Sequence, residues 1–352
     1  MTAGGTLILG SQWKHSWAIE SAYGTDPGTS AYTKVLGVVQ TATLPDPNVN
    51  YQPVWTQGTA STRNWSVAYK NQISLGGSIP DIWLLDGRPL ALLGSTITTG
   101  GPAPYTHTIS ESNIMPSFAM HVTYNNTSVA TALMRRYTGG KINRATISGS
   151  EGDFLKLALD EVLFVNYLHD QNTTDTASHY SAGVADVTIA YPATQPYLFS
   201  YGALSLAGTV FARIRSFSLS ISQNLDAKYY ITTGAPGGNN LPYEYREGQR
   251  QYQLNVTVDI EDAALYRELV RMGTYTSSFT GFQVIISFTR GANDSIVLTM
   301  PTTTPATGLD AMGCLIQSAP HNIVTDPVVS VPLTIIGRNL GIVVTDAIAS
   351  YA

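Results

Sequence analysis

The feature that most constrains the fold is a run of alternating residues that begins at Arg250. In "RQYQLNVTVDIEDAALYRELVRMG", the apolar residues from Tyr252 to Ile260 fall on one parity. Uncharged polar residues and Asp259 fall on the other parity. Because side chains alternate between the two faces of a strand, this period predicts a strand with one buried and one polar face.

The period changes directly after this strand. Leu265, Leu269 and Met272 have the spacing of a short amphipathic helix, and Gly273 is suited to end it. We therefore expect a helix over residues 262–272. A strand followed at once by a short helix is the unit whose recurrence can be sought elsewhere in the chain.

The same order of patterns occurs earlier, in "RNWSVAYKNQISLGGSIPDIWLLDGRPLALLGS" from Arg63. An alternating run is again followed by a helical candidate, over residues 80–86, with Pro80 suited to its first turn. The flanks repeat too: "KVLGVVQTATL" parallels "ARIRSFSLSIS", and "SFAMHVTYNNTSVATALM" parallels "GFQVIISFTRGANDSIVLTM". The sequence predicts a mainly β protein with two tandem, similar β-sandwich or small-barrel domains, each carrying one short α-helix. The expected domains are 1–185, with an N-terminal arm over 1–33, and 186–352, with a C-terminal tail over 338–352.

Charge is scarce for a chain of this length. Of 352 residues, 12% are charged and 43% are apolar, and the formal net charge is -5. Soluble domains average about 25% charged residues. We infer a surface that is covered by partners or built from neutral polar groups, and the absence of basic blocks argues against a face that binds nucleic acid or a membrane.

The remaining compositional signals exclude several classes. One cysteine, Cys314, permits neither an internal disulfide nor a cysteine-based zinc site. No apolar run approaches the roughly 20 residues that span a bilayer, and "MTAGGTLILGSQWKH" lacks the features of a signal peptide. We expect a protein that is made and kept soluble in a cytoplasm and has no membrane partner.

No motif predicts catalysis or a bound cofactor. His169, Asp170 and His179 form the nearest approach to a metal-ligand cluster, but the run "HDQNTTDTASHY" is typical of a solvated loop. "TGAPGGNN" lacks the G-K-[ST] of a phosphate loop, and "ISGSEGD" lacks the spacing of a nucleophile elbow. We predict no catalytic residue, no metal and no cofactor.

Several segments resemble the major tail tube proteins of long-tailed, non-contractile phages. "WAIESAYGTDPG" resembles that family's opening motif, and "PSFAMHVTY" with "GGKINRATISGSEGDFLKLALDEV" resembles its middle strands. "RIRSFSLSISQNLDAKYYI" followed by "LPYEYREGQRQYQLNVTVDIED" resembles its C-terminal part. The fold of this family is similar to those of contractile tail tubes and the type VI secretion tube.

The resemblance implies a structural virion protein. Its copies would join their sheets into rings and the rings would stack into the tail tube, which holds the tape-measure protein and then passes double-stranded DNA. Tail terminator and tail-tip proteins are the other implied partners. Most members have one such domain and form hexameric rings, so a two-domain chain would form a pseudo-hexameric ring of three copies. A neutral, slightly acidic lumen would let DNA slide, because basic side chains are what hold phosphates.

Two long loops, 45–62 and 223–249, and the tail beyond Arg338 are the expected contacts between stacked rings. The candidate loop residues are Asp46, Asn50, Tyr51, Trp55, Tyr229, Tyr230, Asn239, Tyr243 and Tyr245. The candidate C-terminal contacts are Arg338, Ile342 and Tyr351. Two alternatives stay open at this point: a β-sandwich module of a virion that binds carbohydrate or a receptor, and a hydrolase on a β scaffold.

Overall fold

Antiparallel strands make up most of the computed structural model, which confirms the mainly β class. The structure describes residues 13–28, 31–44, 48–55, 67–94, 96–124, 133–169, 194–206, 209–211, 213–231, 240–259, 281–303, 313–320 and 330–351. The strands of the first half are β1 (Lys14–Ile19), β2 (Val38–Val39), β3 (Asn48–Val54), β4 (Val67–Trp83), β5 (Thr96–Gly100), β6 (Tyr105–Ser110), β7 (Phe118–Tyr124), β8 (Leu133–Ser150), β9 (Lys156–Phe164) and β10 (Asn166–His169).

The second half contributes the other strands. They are β11 (Gly202–Leu206), β12 (Thr209–Phe211), β13 (Ile214–Ser222), β14 (Asp226–Lys228), β15 (Glu244–Arg246), β16 (Gln251–Asp259), β17 (Val284–Gly291), β18 (Asp294–Met300), β19 (Leu315–Ser318), β20 (Ser330–Gly337) and β21 (Gly341–Asp346). Short 3-10 helices occupy Arg88–Leu92 and Phe199–Tyr201 in the described part of the chain.

The predicted helix over 80–86 is wrong, because β4 continues to Trp83. Ile79 and Ile82 pair with β9 and are buried, with the register shifting on either side of Ile79. These irregularities bring apolar residues to uneven spacings that imitate a helix, and they accommodate Pro80, which has no N–H for a regular ladder. The nearby helix is the 3-10 turn that starts at Arg88, with Pro89 in its first turn. The predicted helix over 262–272 lies outside the described residues.

Strands from both halves form one sheet. Its main path runs β19-β20-β16-β13-β8-β9-β4-β2, and β8 and β13 pair directly from Arg144↔Ser222 to Ser150↔Ser216. Each half contributes four strands in the same order, β2-β4-β9-β8 and β13-β16-β20-β19. The strands β4 and β16, which lie in the two alternating segments, hold the same place in that order. The division into domains 1–185 and 186–352 stays a prediction.

The second layer shows the same correspondence. The N-terminal part of the 18-residue β8 leaves the shared sheet and pairs with β7 and β10, and β7 pairs with β1 from the predicted N-terminal arm. In the second half, β11-β17-β18-β21 are joined in the corresponding order. This set is extended by a hairpin of the first half, because β6 pairs with β21 and β5 pairs with β6. The last strand, β21, is therefore tied to the first half of the chain through the β6–β21 ladder.

The core lies between the layers. Phe217 on β13 contacts Phe288 on β17 with ring centroids 5.7 Å apart. Gly149 stands opposite Phe217 in the β8–β13 ladder, and a Cβ there would lie 2.9 Å from the ring of Phe217. Leu219, opposite Ile147, is fully buried. The seam between the halves is therefore packed like the rest of the core.

We expect Leu219→Ala to lower the free energy of unfolding by about 2–5 kcal/mol, since it would leave a cavity at this seam. Ser220→Ala, one position along on the opposite face, should change it by less than about 0.5 kcal/mol. Chemical denaturation of both variants measures the two values. Equal, small effects would show that the seam is not a packed core.

Candidate assembly surfaces

The shared sheet has one apolar face and one mainly polar face, which carries few charged residues. On β13, Phe217, Leu219 and Ile221 are buried in the core, while the serines between them point to the other side. The neighbouring strands follow the same alternation. The polar face carries Thr146, Ser148 and Ser150 of β8, Ser216, Ser218, Ser220 and Ser222 of β13, Gln251, Gln253, Asn255 and Thr257 of β16, and Thr334 of β20. We call this surface the polar face.

The polar face holds two open grooves. An open groove of about 340 Å³ is lined by residues of β8, β13, β16 and β20, among them Ser148, Ser218 and Thr334. A second groove of about 770 Å³ continues over the same strands from Thr146 to Gln317 of β19. Both grooves cross the seam between β8 and β13. A sheet that curls toward its polar face closes, when more strands are added, into a barrel with that face inside.

Charged side chains stand near the ends of these strands. Arg215 Nε lies 2.8 Å from Asp259 Oδ2, and Ser330 donates a 2.6 Å hydrogen bond to Oδ1 of the same carboxylate. Burial acts to raise the pKa of Asp259, but the hydrogen bonds from Ser330 and Arg215 outweigh it and place the pKa below its usual value. This carboxylate is therefore ionised at neutral pH.

Two further ion pairs lie on the same face. Lys156 Nζ is 2.7 Å from Asp153, and this hydrogen bond holds the pKa of Asp153 below its usual value. Arg144 Nε is 3.1 Å from Glu161 at the other end of the groove. The cations described on the polar face are thus engaged by carboxylates.

Two edges of the shared sheet end without a further strand among the described residues. One is β19. The other edge lies beyond β4. Along β4, β2 pairs with Trp83 and Ile82, Thr43 exchanges hydrogen bonds with Ser78, and β3 pairs with the residues from Ser74 back to Val67. The outer sides of β2 and β19 are the positions at which another strand could be added.

The predicted loop 45–62 is partly wrong, because residues 48–54 form β3. Val49 and Tyr51 fall beside a register shift in the ladder with β4, and such irregularity conceals a strand from a search for strict alternation. Asn50 and Tyr51 lie in β3 and Trp55 follows it; all three are exposed, Tyr51 by 63% and Trp55 by 61%. Asp46 lies outside the described residues.

The other predicted loop lies against the first half. Ile73 N donates a 2.7 Å hydrogen bond to the Asn240 carbonyl, and the Tyr229 hydroxyl donates to the Ile73 carbonyl at 3.2 Å. Lys141 Nζ donates to the Tyr245 carbonyl at 2.9 Å. We call the described residues 223–231 and 240–249 the strap, since they belong to the second half of the chain and contact the first. The strap therefore contacts β4, the strand that pairs with β3.

The candidate residues of the strap have different environments. Tyr230 and Tyr243 are exposed and meet edge to face, with ring centroids 5.6 Å apart. Tyr245 is buried, and its N–H donates to the Tyr23 hydroxyl at 3.0 Å. Asn239 lies outside the described residues.

The C-terminal candidates separate in the same way. Arg338 is exposed, whereas Ile342 of β21 is buried. Tyr351 is fully buried, its ring stacks 3.7 Å from His107, and its hydroxyl donates to Asp346. Residues 341–351 thus pack within their own chain, and this conformation leaves Ile342 and Tyr351 no surface to offer a neighbour.

The sequence indicates the loop at 223–249 but not its packing against the first half, nor the ion pairs of the polar face. The acids are visible in the sequence, and the parity of Asp259 already places it on the polar side of its strand. The partner of Lys141 could not be found from sequence, since Glu247 lies 106 residues away and 2.7 Å from its amine. In the described part of the chain, no group of three His, Cys, Asp or Glu residues is arranged to hold a metal. Nor does any described helix have the length and apolarity to cross a bilayer.

Comparison with known proteins gives one family. The family model described as "Phage tail tube protein" matches residues 14–335, which is most of the chain and includes both halves of the shared sheet. The chain matches no curated protein sequence. The chain therefore belongs to the phage tail tube protein family and is a structural component of the tail tube.

Proposed function

We propose that three copies of this chain close into one ring, and that stacked rings form the tube through which double-stranded DNA leaves the phage. The observation that carries this proposal is the β8–β13 ladder. It joins the last strand of one four-strand set to the first strand of the next set. The same kinds of edge, β19 and β2, end the sheet at its two sides.

The interchain junction follows from the intrachain one. By strand order β19 corresponds to β8, and β2 corresponds to β13. Pairing β19 of one copy with β2 of the next repeats the β8–β13 arrangement and occupies both edges of every copy. Main-chain hydrogen bonds would supply much of this contact. Three copies would give six sets of four strands, with three junctions inside chains and three between them.

The polar face would line the lumen. Two open grooves lie on this face, and a ring closed through β2 and β19 with the sheet curled toward it would place it inward. Its hydroxyl and amide groups present few charges for phosphates, so DNA would slide past it. The tape-measure protein would occupy this space before the DNA, and terminator and tip proteins would cover the tube's ends. Assembly takes place in the host cytoplasm, and no catalytic step is assigned to the chain.

Ring stacking would use the exposed aromatic residues. The ladder between β3 and residues 67–74 of β4 extends past β9, which pairs with β4 only from Leu75 onward. We call β3, Trp55 and residues 67–74 the β3–β4 arm. Its side chains Tyr51, Trp55 and Tyr69 are all at least 60% exposed. Exposed aromatic side chains are typical of protein interfaces, so we assign this arm, with Tyr230 and Tyr243, to the contact with the next ring. No described feature favours a carbohydrate-binding module.

Cross-linking tests which edges meet. Thr41→Cys beside β2 and Gln317→Cys on β19, joined by a short bismaleimide, should give covalent dimers and trimers on a denaturing gel. The series should stop at three copies, because the ring is then closed. Cys314 is buried and burial raises the pKa of its thiol to about 11, so it should not react.

The matched control lies in the intrachain ladder. Ser148→Cys with Ser218→Cys, which stand opposite each other in β8 and β13, should cross-link within one chain and yield monomers. A Thr41/Gln317 series that continues to six copies would contradict the three-chain ring. The absence of any interchain product in assembled tubes would contradict the assignment of the edges.

The stacking assignment predicts a different phenotype. Tyr51→Ser with Trp55→Ser should leave the melting temperature of the free chain within about 2 °C, because both side chains are exposed. Tubes seen by negative-stain microscopy should be shorter or replaced by single rings. Tyr351→Ala is the contrasting variant: it removes a buried, stacked ring and should lower the melting temperature. Full-length tubes from the Tyr51/Trp55 variant would contradict the assignment.

A further inference from the structure

We propose that carboxylates on the polar face hold its lysine and arginine side chains away from passing DNA, so that the lining is kept inert by ion pairs. This inference rests on the proposed lumen. It concerns the chemistry between the lining and its double-stranded DNA passenger. The polar face would therefore not bind DNA, although it contains lysine and arginine side chains that could bind phosphates.

The best-defined pair is at the end of β13. Arg215 is bulged out of the β13–β16 ladder, between Ile214 and Ser216, and is about two-fifths exposed. Asp259 holds its Nε at 2.8 Å and is itself fixed by Ser330 on β20. An exposed arginine without this carboxylate would have its planar group of donors free for a phosphate. The carboxylate therefore blocks a group well suited to bind DNA.

The other pairs repeat this arrangement on different strands. Lys156 of β9 lies between two carboxylates, 2.7 Å from Asp153 and 3.9 Å from Asp81. Glu161 receives hydrogen bonds from both Arg144 and Asn143, at 3.1 Å and 2.8 Å. The stripe between the pairs, from Ser148 to Thr334, is uncharged. The cations thus stand near the strand ends with local partners, and the middle of the face carries hydroxyl and amide groups.

Because many rings are stacked in a tube, even a weak affinity of each ring for DNA is important. Each phosphate contact steepens the dependence of log K on log salt by about 0.9. One freed cation in each of three chains would contribute about 3 × 0.9 = 2.7 per ring. DNA in a tube touches many rings at once, so even weak contacts in each would add up to a retarding force. Pairing each cation with a neighbouring carboxylate removes its contribution to DNA affinity.

The first test uses the unassembled chain, so that it does not depend on ring formation. Asp153→Asn with Asp259→Asn removes the nearest carboxylate from Lys156 and from Arg215 while keeping the shape of both acidic side chains. The probe is a 30-base-pair duplex. The variant should bind it more tightly than the wild type at 50 mM salt, and raising salt to 200 mM should weaken that added affinity about tenfold.

The control restores neutrality at the same sites. Adding Lys156→Gln and Arg215→Gln to the double variant should return duplex binding to the wild-type level. Thermal unfolding shows whether each variant is folded, and Glu161→Gln offers a second carboxylate should Asp259→Asn not fold. A folded variant that binds DNA no better than the wild type would overturn the proposal. So would steep, salt-dependent binding by the wild type.

The second test measures passage through the tube. Phage particles carrying the Asp153/Asp259 variant should form tails of normal length but release DNA more slowly, with the delay shrinking as salt increases. Asp153→Asn alone and Asp226→Asn are the matched pair: each changes the net charge by the same amount, but Asp226→Asn removes the carboxylate of Lys228 on the strap, away from the polar face. Equal delays in both variants would show that total charge, and not the lining, is responsible. Absence of tails in the wild-type preparation would contradict the proposed function instead.

Discussion

The antiparallel ladder between β8 and β13 is the contact on which the rest of the structure depends. It turns two four-strand sets into one sheet, with Leu219 and Ile147 sealing the apolar side and serines and threonines facing outward. An edge strand normally exposes unpaired N–H and C=O groups, which invite uncontrolled pairing. Here one pair of such edges is joined within the chain before any assembly. In the described part of the chain, β2 and β19 are the open edges of the shared sheet, and in the proposed three-chain ring the link within each chain would replace half of the junctions between strand sets.

The neutral polar side chains of this sheet explain how the chain can form a large polar surface with few charged residues. A soluble sheet usually presents charged residues on its open face, but 12% charged residues cannot cover two large sheets. The polar face uses serine, threonine, asparagine and glutamine instead. Its described cations are each held by a carboxylate, as Arg215 is by Asp259. Such a surface is soluble and offers little to phosphates, which suits the inner wall of a DNA conduit.

Regular strands could be predicted from the sequence and irregular ones could not. The parity of Tyr252 to Val258 gives both the strand and its buried face, because β16 lies in mid-sheet and pairs regularly on both sides. The shifts around Ile79 in β4 produce a helical spacing without a helix, and those near Tyr51 in β3 conceal a strand. The buried state of Tyr351 depends on His107, which is distant in sequence and adjacent only in the fold. Local pattern therefore fixes elements but not the long-range partners that decide which residues are free for assembly.

The central claim is that a ring contains three chains joined through β2 and β19, with the polar face inside. Electron cryo-microscopy of assembled tubes tests it most directly, since the map shows ring symmetry and strand neighbours together. The account predicts three chains per ring, β19 of each chain paired antiparallel with β2 of the next, and Ser148 and Ser218 facing the lumen. A ring of six chains, or a polar face directed outward, would contradict it.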